Sequence, residues 1–76
     1  DQLRAVARHD LEASREVAAQ ARVIADAARE VAAQARARYE AGLSTLVEVA
    51  EAERRLAQAD IDRGLADLAI WRARLA

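Results

Sequence analysis

The sequence predicts an all-α fold: an antiparallel two-helix coiled-coil hairpin, packed in turn against further helices. Three observations carry that expectation. The composition is rich in Ala, Arg, Glu and Leu, with no proline and only two glycines, the profile of long helices. Apolar residues recur at three- and four-residue steps along most of the chain, and none of it alternates with period two as a strand does. One short stretch, Arg38 to Thr45, breaks the helical pattern, and a short break between two long helices folds them back on each other.

The first arm spans residues 1–41. It repeats REVAAQAR at 15–22 and again at 29–36, an offset of two heptads. Val17, Ile24 and Val31 form one column, and Ala21, Ala28 and Ala35 form another beside it. Together they read as a seam of large and small residues at 3-4 spacing. A further column, Leu11, Ala18, Ala25, Ala32 and Tyr39, also steps by seven. Its small side chains allow a neighbouring helix to come close. The remaining face is charged, with Asp26–Arg29 and Glu12–Arg15 at helical pairing distance.

Residues 42–44 form the turn. Gly42 is the residue a helix favours just past its end, where the backbone turns left-handed and a side chain would clash. Arg36 and Arg38 place positive charge in the last turn of the first arm. Thr45 and Glu48 read as a T-x-x-E capping box opening the next helix, with Ser44 an equally good cap.

The second arm spans residues 45–76 and carries two apolar seams. The first is Val49, Ala52, Leu56, Ala59, Ala66, Ile70 and Ala73, interrupted by Arg63. The second is Val47, Ala50, Ala57, Ile61, Leu68, Trp71 and Leu75, interrupted by Arg54 and Gly64. Read as neighbours, the seams make a broad apolar face. A two-stranded coil needs one narrow seam, so two predict helices on two sides, as in a bundle or a closed wall. Alanine buries little area, so the segment is expected to be stable only when packed on other helices. For the chain alone this predicts pairs of hairpins forming a four-helix bundle.

Bulk properties exclude several function classes. There are 12 basic and 13 acidic residues and a net charge of −1. Interleaved charges of both signs argue against nucleic acid, which needs a one-sided basic surface. Without cysteine there is no disulfide and no thiolate metal site. No apolar run has the length of a membrane span. His9 lies near Asp10 and Glu12, but the three lack the i, i+4 spacing of paired helix ligands, and a solvated histidine is expected. Ser44 has no base in sequence reach to make it a nucleophile. No catalytic residue, metal or cofactor is expected. The chain opens at Asp1, not a methionine, and reads as a segment of a longer protein.

The run from Arg38 to Leu56, RYEAGLSTLVEVAEAERRL, followed by Ala57 and Ala59, resembles the outer membrane efflux proteins, the TolC-like trimeric channels. Their pattern is R-Y/F-x-x-G, then an aliphatic V-L-x-A-x-x-x-L segment. The likeness is strongest over residues 36–60. It implies that the hairpin belongs to the second internal repeat of such a channel, a fragment of its α-helical barrel, with the turn at the periplasmic end. The barrel joins a β-barrel in the outer membrane. The tip meets a periplasmic adaptor protein and, through it, an inner-membrane pump. Gly42, Leu43 and Ser44 are then the adaptor-docking tip, and Tyr39, Glu48 and Glu51 are candidate pore-tip residues.

Each of these has a plainer role as well. Tyr39 can pack at a helix end, and Glu48 and Glu51 can complement the helix dipole or pair with Arg54 or Arg55. Three departures from the family pattern stand out: Ala50 replaces a larger aliphatic residue, Glu53 replaces a frequent Gln, and Ser44 replaces a basic residue used in gating by some members. A competing expectation, drawn from the heptads alone, is a structural self-association module of an unrelated protein.

Overall fold

The computed structural model describes residues 1–75. Among them the chain forms two helices, α1 (Gln2–Glu40) and α2 (Leu46–Leu75), packed antiparallel. The last residue of the expected second arm, Ala76, lies outside the described residues. The hairpin is a rod of 62 × 13 × 11 Å. A helix's Cα cylinder is about 4.6 Å across. A 13 Å width therefore leaves about 8 Å between the axes, the close end of helix packing.

Alanine is what permits that approach. The buried residues are Ala18, Ala25 and Ala32 on α1, with Val49, Ala52, Ala59 and Ala66 on α2. Half-buried Leu11, Ser14, Ala21, Ala28 and Ala35 complete a 3-4 seam on α1. Leu56, Arg63, Ile70 and Ala73 do the same on α2. Arg63 does not break the seam, because its apolar stem can line the interface while its head reaches water.

Two expectations about the seams are corrected here. On α1 the valine column faces outward: Val17, Ile24 and Val31 are exposed, and the alanine column Ala18–Ala25–Ala32 takes their place beside Ala21, Ala28 and Ala35. Where the helices run this close, alanine methyls fill most of the α1 side of the interface, and the bulkier Val49, Leu56 and Ile70 come from α2. On α2 the two seams are not neighbours. At about 100° per residue they lie roughly 150° apart around the helix. The first packs on α1, and the second, from Val47 to Leu75, faces away.

The register is marked by three cross-arm ion pairs on one flank. Arg29 meets Asp60 at 3.1 Å, Arg22 meets Asp67 at 3.6 Å, and Arg36 pairs with Glu53. Each step of seven up α1 is met by a step of seven down α2, with the arginine always on α1. The Asp67 Oδ1 is shielded from solvent, and Arg22 stands just beyond direct hydrogen-bond reach of it. Arg29 also pairs with Asp26 at 3.4 Å, as the spacing predicts. Glu12–Arg15 does not form a pair among the described residues, and the two side chains remain solvated on an exposed stretch.

These partly exposed bridges align the arms more than they stabilise them. A double-mutant cycle on Arg29 and Asp60, each to alanine, is expected to give a coupling below about 1 kcal/mol. That coupling should fade at high ionic strength. A salt-independent coupling several times larger would show that the ladder is a main source of stability.

Candidate functional site

The turn is built by local chemistry that can be followed atom by atom. The Gly42 N–H donates to the Tyr39 carbonyl at 2.9 Å, and the Leu43 N–H donates to the Arg38 carbonyl at 2.8 Å. This crossed pair is a Schellman motif, which satisfies the last carbonyls of α1. It requires Gly42 in the left-handed region, where its φ is 76°. Ala41, the cap residue before it, remains right-handed. α2 then starts on Thr45, whose Oγ1 accepts from the Glu48 N–H at 3.2 Å. The Glu48 side chain does not return the bond, so only the threonine half of the expected capping box forms. Its carboxylate instead lies in the first turn of α2, where it complements the dipole.

The structure divides the expected tip residues. Gly42 and Leu43 lie at the apex, and Leu43 is 70 % exposed. Ser44 is half-buried, and its hydroxyl donates to the Ala35 carbonyl at 3.4 Å. It fastens the turn to the side of α1 and is neither the cap of α2 nor fully open surface. Tyr39 stands one heptad beyond Ala32 in the interface column, where the arms end, and is partly exposed. Glu48 and Glu51 are exposed on successive turns of α2 and form no ion pair among the described residues, with Arg54 and Arg55 or otherwise.

Sequence reasoning gave no role to Leu46 at the apex. Leu46 and Val47 are exposed beside Leu43, so three aliphatic side chains flank the turn within five residues. The signal was the spacing L-S-T-L-V itself, where a solvent-facing turn would carry polar residues. Sequence reasoning also missed the ion-pair ladder. Its signal was Arg22, Arg29 and Arg36 at steps of seven, facing Glu53, Asp60 and Asp67 at steps of seven.

A shallow apolar depression on α1 is lined by Ala19, Gln20, Val23 and Ile24 and is too open to bury a small ligand. Among the described residues no group of three His, Cys, Asp or Glu side chains is placed to hold a metal ion, and His9 is solvated. Among the described residues no helix is long and apolar enough to cross a membrane. Trp71 lies at 59 % exposure on the outer seam of α2, with the Arg74 guanidinium 5.4 Å from its ring centroid. No family model matches this chain, and no match is found among curated proteins or solved structures.

Proposed function

We propose that this hairpin is part of the periplasmic helical barrel of a trimeric outer membrane channel of the TolC-like kind, serving a tripartite efflux or secretion system. The observation that carries the reading is the pair of seams on α2. One is closed by α1, and the other, Val47 to Leu75, is bare on the far side of the helix. A helix in a tubular wall has such a neighbour on each side. The R-Y-E-A-G turn adds support, since it sits at the rod's end with Leu43 and Leu46 outward. In this reading Gly42, Leu43 and Ser44 dock a periplasmic adaptor, which links the channel to an inner-membrane pump. Leu46 joins that docking surface. Threefold repetition would gather Glu48 and Glu51 into a cation-attracting ring near Tyr39.

Deleting Gly42 to Thr45 within the open reading frame that encodes this chain tests the reading. The expected result is loss of export, seen as sensitivity to the exported compound, with the channel still assembled in the outer membrane. Unchanged export with an assembled channel would overturn it. A second reading, a plain self-association module, is favoured by one observation. Most of the large apolar side chains, Trp71 and Leu75 among them, are on the outside of the hairpin, and the buried residues are alanines apart from Val49.

A further inference from the structure

The bare seam of α2 has an internal order that the hairpin does not explain. One edge carries Val47, Arg54, Ile61, Leu68 and Leu75, and the other carries Ala50, Ala57, Gly64 and Trp71. Large residues occupy the first edge and small ones the second. A single exchange breaks the rule: Arg54 is the polar member of the large edge, and Trp71 is the bulky member of the small one. Gly64 is equally unexplained within one chain. A Cβ added there would meet nothing within 4 Å, yet glycine inside a helix costs about 1 kcal/mol relative to alanine.

We propose that this seam is a homotypic docking surface, on which α2 of a second copy of the chain lies antiparallel, with the two-fold axis passing between Ile61 and Gly64. The hairpin already shows the geometry. In an antiparallel pair the two columns of one helix interleave with the opposite columns of the other, and equivalent flanking positions meet, as Arg29 meets Asp60. Carried over to the bare seam, that geometry sets Ile61 against Gly64 of the second copy, Leu68 against Ala57, and Leu75 against Ala50. Each of these three large side chains meets a small one.

The exchange also becomes a match, because Arg54 falls opposite Trp71 of the second copy, a guanidinium against an indole. On one flank Glu51 meets Arg72 of the second copy, and symmetry makes each contact twice. The other flank brings Glu53, already paired with Arg36, towards Arg74. Gly64 then has a reason: it makes room for Ile61 where the two helices cross nearest the axis.

Other alignments fail on the same residues. The proposed alignment does bring Asp60 towards Asp67 of the second copy, where Arg29 and Arg22 of the α1 arms offset the two charges, and a slip of one heptad in either direction separates both Glu51 from Arg72 and Arg54 from Trp71. A parallel pairing sets Arg54 against Arg54 and Trp71 against Trp71. The inference stands on the residues of α2 and is independent of the channel reading, in which the same seam takes a neighbouring hairpin with its tip at the same end.

Sedimentation of the 76-residue chain is expected to show a two-chain particle; a helical monomer at every concentration overturns the proposal. Gly64→Leu is expected to keep the helical circular dichroism of the hairpin while raising the dimer dissociation constant about ten-fold or more. Undiminished dimerisation would show that another face is used. Glu51→Arg is expected to weaken dimerisation and Glu51→Arg combined with Arg72→Glu to restore it. Failure of the double variant to restore it overturns the antiparallel alignment.

Discussion

Replacing Ala25 by leucine is expected to destabilise the hairpin by about 1–3 kcal/mol, the cost of overfilling a tightly packed site. For a chain this short each kcal/mol lowers the thermal midpoint by roughly 4–8 °C. Ala25 is fully buried, at 0 % exposure, with buried Ala18 and Ala32 a heptad to either side. A leucine there either clashes with α2 or forces the axes apart, and parting the arms loosens every other alanine contact along the rod. The intuitive rule that larger apolar residues strengthen a coiled coil predicts the opposite sign. Val31→Leu, on the exposed column of the same helix, is the control and should change the midpoint little at concentrations where the chain is monomeric. Thermal unfolding followed by circular dichroism decides the matter. A stabilised Ala25→Leu variant would mean that the arms are not held at alanine distance.

Gly42→Val is expected to destabilise the hairpin by about 1–2 kcal/mol or more, chiefly through backbone strain. The φ of 76° is one that residues with a Cβ rarely adopt. Nothing lies within 4 Å of an added Cβ, so for alanine at this position the cost is that of the backbone and not of crowding by neighbours. That separation gives a sharp control. In a chemically synthesised chain, D-alanine at position 42 prefers positive φ and is expected to match or exceed the stability of glycine, whereas L-alanine falls below it. Equal losses for both enantiomers would place the cost in crowding and not in handedness.

The turn was the most legible part of the fold in the sequence. Gly42 and Thr45 act through bonds to residues only a few positions away, so their meaning does not depend on the rest of the molecule. The inward column of α1 was harder to read. Val17–Ile24–Val31 and Ala18–Ala25–Ala32 both step by seven, and periodicity alone does not choose between them. Burial favours the larger set, but close helix approach favours the smaller, and approach wins here. That the two seams of α2 lie on opposite sides was legible in their spacing, since about 100° per residue sets them roughly 150° apart.

At the tip, Ser44 looked like surface or a cap because its reach to the Ala35 carbonyl depends on how the arms come together. Leu46 looked like an ordinary first-turn residue until the turn geometry left it outward beside Leu43.

The account depends on the outer seam of α2 being a surface that a helix covers. Trp71 is the only tryptophan and lies on that seam, so its fluorescence reports on the seam alone. With rising concentration, its emission is expected to shift to shorter wavelength and its quenching by acrylamide to fall, at constant helical content. A fully helical chain whose Trp71 stays open to quencher at every concentration would contradict the account.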